Sequence, residues 1–294
     1  MRSGFVSLIG RPNVGKSTLL NSIVEYKVAI TSNVAGTTRN IIQAVYNDKD
    51  TQIVFVDTPG IAKPKEKLGR FLNKQSYSLM QDVDALLFVI DAASGLGPGD
   101  KKIIEDLKNT KVPIILVMNK IDRINNEKLM MMINQYKDLL DFADIVPVSA
   151  LRFDNIETLI NVIKKYLNDD VKYYDDNTIT SCSKYFMISE LVREKLLHLT
   201  IEEVPHSLTC ITTHFEEKKD IVNINVDIIV DRDAIKKIII GKQGARLKKV
   251  GTLARQDIEE LLGKKVYLEL YVKTIKNWRD KERYINEFGF NETE

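Results

Sequence analysis

The sequence predicts an α/β chain, a doubly wound P-loop sheet followed by a smaller α+β domain. Three observations carry this reading. Short apolar runs alternate with helix-spaced segments over roughly the first half, as in an α/β sheet. Gly10-Arg-Pro-Asn-Val-Gly-Lys-Ser17, which fits G-x-x-x-x-G-K-[ST], lies between one such run and a helix. Past an acidic, aperiodic stretch at 168–177 the order changes to helix, two strands, two helices and a strand. The expected divisions are 1–168, a linker at 169–180, and 181–294.

Bulk properties narrow the class. A chain of 294 residues, 44% hydrophobic and 29% charged, is long enough for two domains with cores of their own. Its formal net charge of +2 means that any polyanion must be met by a local patch. The two cysteines, Cys182 and Cys210, have neither disulfide-framework nor zinc spacing, as expected in a reducing cytosol. Three histidines, His198, His206 and His214, stand singly and read as structural. No apolar run reaches the ~18 residues of a membrane span. The first strand begins by Phe5, too early for a signal peptide. The expectation is a soluble, cytoplasmic protein.

Phe5–Ile9 is β-prone and ends directly at Gly10, and 17–24 has helical character. Strand, glycine loop and helix thus come in the order a phosphate cradle requires. The glycines let successive N–H groups of Gly10, Asn13, Val14 and Gly15 converge on phosphate, and the helix N-terminus adds positive potential. Lys16 is expected on the β- and γ-phosphates and Ser17 on Mg²⁺, with Thr18 alongside. Residues 31–39 are small and polar, hence a loop. Ile41–Tyr46 and Thr51–Val56 read as strands of a hairpin about Asn47–Asp50. The second run ends in Asp57-Thr-Pro-Gly60. Asp57 stands where a Mg²⁺-organising carboxylate belongs, and Gly60 could offer an unhindered N–H to a γ-phosphate. Ile61 follows where many small GTPases place a water-orienting glutamine, so the sequence names no general base.

Residues 65–82 have amphipathic helical spacing (Leu68, Phe71, Leu72, Leu79). Ala85–Ile90 and Val112–Met118 are wholly apolar, as expected of strands buried on both faces, with a helix between them at 100–109. The second run ends in Asn119-Lys-Ile-Asp122. A carboxylate at Asp122 can accept both donors of the guanine N1/N2 edge, for which adenine has no match. Asn119 would tie this loop to the phosphate loop, and the Lys120 stem would cover the ring. Such buried pairing discriminates strongly, because the wrong base leaves polar groups unpaired. Asp144–Val148 is one more strand, ending in Ser149-Ala150-Leu151, where a backbone N–H could meet guanine O6. All five motifs fall at carboxyl ends of strands, where open α/β sheets bind ligands.

In the second half, Tyr185–Leu199 reads as a helix, Ser207–Phe215 and Ile221–Val230 as strands, and Asp233–Ile240 as a helix. Gly241-Lys242-Gln243-Gly244 then breaks the chain before a helix to about Leu262 and a strand at Lys265–Val272. This is the arrangement of a type II KH domain, whose G-x-x-G turn clamps about four nucleotides. Eight basic residues against one acid, Asp233, lie between Arg232 and Arg255. The RNA contacts expected from this are Gly241, Lys242, Gln243, Gly244, Arg246 and Lys248. A basic stretch around Trp278 would either extend that footprint or cap the domain.

A P-loop GTPase joined to a type II KH domain resembles the Era family of ribosome-associated GTPases. Further likeness lies in Asp57-Thr-Pro-Gly-Ile-Ala-Lys-Pro, Lys67-Leu-Gly, Arg193-Glu-Lys-Leu-Leu, Glu202-Glu-Val-Pro, Ile238-Ile-Ile-Gly-Lys-Gln-Gly and Leu261-Leu-Gly-Lys-Lys-Val. The resemblance implies slow, Mg²⁺-dependent hydrolysis of GTP to GDP and binding of the 16S rRNA 3′ end. It also implies a part in 30S subunit assembly, as a monomer, with peripheral contact to the inner membrane. By position, Lys16, Thr38, Asn13 and Gly60 are the catalytic candidates. Ser17, Thr38 and Asp57 would hold Mg²⁺, with Thr37 a rival to Thr38, and Asn13 would bring K⁺ in place of an arginine. Gly36 and Tyr271 stand where relatives often carry Gln and Trp. The alternative expectation is an RNA-binding module in which nucleotide is a structural switch with negligible turnover.

Overall fold

The computed structural model describes residues 1–64 and 66–290. The chain divides into two compact units, Met1–Lys65 with Gly69–Ser181, and Glu66–Leu68 with Cys182–Glu294.

The first unit contains β1 (Arg2–Ile9), α1 (Lys16–Val24), β2 (Ile42–Asn47), β3 (Thr51–Asp57), α2 (Lys67–Ser78), β4 (Ala85–Asp91) and α3 (Pro98–Leu107). It continues with β5 (Ile114–Asn119), α4 (Asn126–Lys137), β6 (Asp144–Pro147) and α5 (Ile156–Ile163). The six strands run in the order β2-β3-β1-β4-β5-β6, with β2 antiparallel to β3 and the remaining pairs parallel. The sheet is therefore mixed: a parallel doubly wound sheet with one antiparallel edge. The apolar runs behave as expected, since Ala85–Ile90 are all fully buried. Leu86, Phe88 and Ile90 face a core with Ile103, Leu107 and Tyr136. The alternate residues, Leu87 and Val89, point to the other face by strand periodicity. Helix α4 is an addition to the elements expected from the sequence. Asn125, whose side chain accepts from the Lys128 N–H at 2.9 Å, is an N-cap signal for it, and Met132 and Tyr136 are its buried stripe. The part of the 65–82 expectation that falls on Lys65 lies outside the described residues.

The stretch expected to be a linker forms no helix or ladder, yet it is fastened along the first unit throughout. Ser3 and Asp169 exchange backbone bonds, and the Val45 N–H donates to Ile179 O at 2.8 Å on the outer edge of β2. Gln52, fully buried, accepts from the Tyr173 and Tyr174 N–H groups (2.7 and 3.0 Å) and donates to Tyr174 O (2.9 Å). Gln43 Oε1 accepts from the Tyr174 and Ser181 hydroxyls, both at 3.0 Å. Acidic composition signals exposure of side chains; it does not report where backbone groups find partners. Here they find them on β1, β3 and the edge strand β2, so 169–181 is a strap and not a free tether.

The second unit contains α6 (Lys184–Leu199), β7 (Leu208–Glu217), β8 (Ile221–Val230), α7 (Asp233–Ile240), α8 (Ala245–Leu262), β9 (Lys265–Thr274) and α9 (Glu282–Glu287). Its sheet runs β7-β8-β9, antiparallel then parallel. The apolar faces of α6, α7 and α8 meet this sheet through Leu191, Ile235, Ile239, Val250 and Ile258. Inside α6, buried Arg193 holds Glu190 with two 2.6 Å hydrogen bonds. Within the basic stretch, Trp278 itself is part of the core of this unit. The ring is fully buried, donates to Ser207 O at 3.1 Å and stacks with Phe290.

Candidate functional site

The glycine loop joins β1 to α1 in the conformation its residues allow. Gly10 (φ 159°) lies so close to β4 that a Cβ would sit 2.3 Å from Val89 O, and Gly15 has φ 98°. Lys16 is buried, its ammonium 3.3 Å from Gly10 O and 3.4 Å from Arg11 O. Burial lowers its pKa, against the opposing pull of Asp57. The loop, Thr18 and the 30–38 stretch line a cleft.

Three hard oxygen groups meet at its floor. Ser17 Oγ donates to Asp57 Oδ2 at 2.7 Å and lies 2.8 Å from Thr38 Oγ1. Asp57 is fully buried, its Oδ1 has no hydrogen-bond partner, and burial raises its pKa. An orphaned carboxylate oxygen beside two hydroxyls is the chemistry of a divalent-cation site, so the residues fit Mg²⁺. Of the two threonines, Thr38 is the one in contact with Ser17. Thr37 Oγ1 turns to Ser32 Oγ (2.7 Å) and Val34 O (2.6 Å), away from this cluster.

Gly60 packs on the phosphate loop, where a Cβ would stand 2.8 Å from Pro12 N. Ile61 donates its N–H to Gly10 O at 3.2 Å and buries its side chain in the core with Phe88 and Ile103. It has no means of orienting water. Asn13, in a left-handed conformation (φ 65°), donates from Nδ2 to Asn33 O at 2.8 Å.

The residues expected to read the base converge as well. Asn119, buried, donates to Val14 O at 2.9 Å and accepts from the Lys120 and Ala150 N–H groups (2.8 and 3.1 Å). The Ala150 N–H, one of the amides expected near guanine O6, lies beside the Asn119 side chain. Ser149 Oγ donates to Asp122 Oδ1 at 2.6 Å and fixes that carboxylate, while Leu151 is exposed. Lys120 Nζ reaches Asn13 O and Asp91 Oδ2, each at 2.7 Å. Asp91 was not anticipated; a lone acid at the end of an apolar strand was the available signal.

In the second unit, Gly241 (φ 74°), Gln243 (φ 51°) and Gly244 (φ 77°) form the turn, with Lys242 and Gln243 exposed. Arg246, expected on RNA, also has a partner within the turn region. Its Nη1 donates to Ile238 O at the end of α7, bracing the turn, and a Cβ on Gly241 would meet Arg246 Cβ at 2.9 Å. Lys248 lines an open groove between α8 and β9, with Leu247, Gly251, Arg255 and Leu270. Most of these groove residues went unrecognised, because they are scattered over two elements. A floor of leucines with a basic rim suits stacked bases and phosphates.

Two family models match the chain: a 50S ribosome-binding GTPase over residues 5–120 and a KH domain over residues 203–279. Among solved structures, the chain is 40% identical to Aquifex aeolicus Era, seen as a variant bound to GDP·AlF4⁻, with a TM-score of 0.95 and 99% of each chain covered. The same identity, TM-score and coverage hold for Era in complex with MgGDPNP and nucleotides 1506–1542 of 16S ribosomal RNA.

Proposed function

The chain belongs to the Era family of GTPases, and from that membership we propose that it hydrolyses GTP and binds the 3′ end of 16S rRNA during small-subunit assembly. The observation that carries this is the full-length likeness to Era bound to MgGDPNP and 16S nucleotides 1506–1542. The matching GTPase model is named for the 50S subunit. That model spans only the nucleotide domain, however, and 16S rRNA belongs to the small subunit, so we favour the latter. Its place is then the cytoplasm, acting as a monomer. A peripheral membrane contact is the family's further implication; among the described residues no helix is long and apolar enough to cross a membrane.

In this reading Gly10, Asn13–Thr18 and Gly60 cradle the phosphates, and Lys16 meets the β- and γ-phosphates. Asp122 accepts from the N1/N2 edge of guanine, held in place by Ser149, and Asn119 locks the base loop to Val14. Ser17, Thr38 and Asp57 would hold Mg²⁺, which neutralises charge on the phosphate oxygens when bound. Ile61 leaves water orientation to groups outside this side chain, and unaided turnover is slow. Asn13 sits where K⁺ could supply positive charge at the β–γ bridge. The G-x-x-G turn and the α8–β9 groove take the RNA, with Lys242, Gln243 and Lys248 toward the ligand and Arg246 as brace.

The test is direct. RNA crosslinked to the GTP-bound protein in cells is sequenced, and GTP turnover is measured with and without the recovered RNA. Crosslinks at the 16S 3′ end and accelerated turnover are expected; crosslinks elsewhere, or no affinity for GTP, would overturn the reading.

A further inference from the structure

Arg11 is the one arginine inside the glycine loop, and its guanidinium turns away from the cleft. Nε donates to Asp100 Oδ1 at 2.7 Å, and Nη2 lies 3.3 Å from Ser94 Oγ. Asp100 has no exposed side-chain surface, whereas Arg11 retains about a quarter of its own. The other oxygen of Asp100 accepts from the Gly97 N–H at 2.9 Å. Two glycines make room for the arginine. A Cβ on Gly99 would lie 2.6 Å from Arg11 Cδ, and one on Gly97 would lie 3.0 Å from Nη1. The buried Tyr136 is close enough for the Asp100 charge to add to the effect of burial in raising its phenol pKa. A buried carboxylate with one cationic partner and a glycine-lined cradle is a built contact, not an incidental surface pair.

The residues that follow explain what such a contact could do. Arg11 O is within reach of the Lys16 ammonium, Pro12 is the surface on which Gly60 packs, and Gly10 O receives the Ile61 N–H. Fixing Arg11 therefore fixes the wall against which the Gly60 N–H is presented. We propose that Arg11 and Asp100 are a positioning pair for GTP, setting Pro12 so that Gly60 can meet the γ-phosphate. The inference rests on the GTPase reading above, and it assigns the pair no contact with substrate.

The pair affects the γ-phosphate side of the site, so GDP should be nearly indifferent to it. The experiment compares Arg11→Gln, Asp100→Asn and the double variant in affinity for a GTP analogue, affinity for GDP, and turnover. Each single variant should weaken GTP-analogue binding about 10–100-fold, the effect of losing a hydrogen bond to a charged group. The double variant should be no worse than either single, since both remove one interaction. GDP affinity should stay within about twofold, because a lost GTP-only contact leaves ground-state GDP binding intact. Arg11→Lys, which keeps charge at the carboxylate, should recover part of the loss, and melting of the GDP-bound variants reports that they fold. Parallel loss of GDP and GTP, or losses that multiply in the double variant, would overturn the proposal. Failure of the wild-type protein to bind GTP would instead defeat the reading on which it rests.

Discussion

Replacing Asn119 by alanine tests the architecture of the nucleotide site at its junction. The side chain is buried and links three segments: Val14 O of the glycine loop at 2.9 Å, the Lys120 N–H at 2.8 Å and the Ala150 N–H at 3.1 Å. Removing it leaves one carbonyl and two amides to find other partners. At about 1 kcal/mol net for each hydrogen bond, the three sum to about 3 kcal/mol. If the ordered junction is needed for binding, guanine-nucleotide affinity should fall roughly 100-fold. Gly15→Ala approaches the same contact from the other side, since its Cβ would stand 2.3 Å from Asn119 Nδ2. A strained φ of 98° adds to the cost. Because both changes break one contact, the double variant should lose less than the product of the singles. Titration with a fluorescent GDP at fixed Mg²⁺ gives the affinities, and a thermal melt without nucleotide separates loss of fold from loss of binding. A change of less than about threefold in Asn119→Ala would refute the reasoning, as would fully multiplicative losses.

Three further outcomes are expected. Asp122→Asn should weaken GTP and favour xanthine nucleotide, whose ring presents a carbonyl in place of the guanine amine; competition binding measures the exchange, and unchanged GTP affinity would remove Asp122 from the base. Hydrolysis should run faster in K⁺ than in Na⁺, and Asn13→Ala should erase the difference; equal rates in the two salts for the wild-type protein would end the cation idea. In the second unit, Gly251→Leu should fill the groove against Leu270, whose Cδ1 already lies 3.5 Å from the position of an added Cβ. Lys242→Asp with Gln243→Asp should repel phosphate at the turn. RNA binding should fall in both while GTP affinity holds, and retained RNA binding in both would place the RNA elsewhere.

Much of this site was legible because its residues lie in short, ordered motifs. Ser17, Asp57 and Asn119 each end or begin an element whose apolar pattern is plain, so their meeting follows from the sheet. Thr38 and Thr37 are adjacent in a loop, and nothing in their spacing separates them; only the hydroxyl positions do. Asp91, Asp100 and the groove residue Leu270 act through partners distant in sequence, and a single sequence carries no trace of such pairings. Arg246 belongs with these: charge near a G-x-x-G turn predicts an RNA contact, but it does not reveal that the same guanidinium also serves a carbonyl at the end of a helix. Helix α4 is signalled chiefly by its Asn125 cap, and the strap is fastened by backbone groups and hydroxyls whose partners composition does not reveal.

The strap has a bearing on how the first unit behaves when separated from the second. β2 is the outermost strand of its sheet, and an uncovered edge strand offers a row of unpaired groups to other chains. Residues 169–181 cover part of that row, with Ile179 O taking the Val45 N–H and Thr180 Oγ1 bonding Gln43 O. A fragment ending at Leu167 would bare this edge and open Gln52 to water, inviting strand-to-strand self-association. One ending at Ser181 would keep its edge guarded. The acidic segment is thus the margin of the nucleotide domain, and it guards that edge as much as it joins the halves.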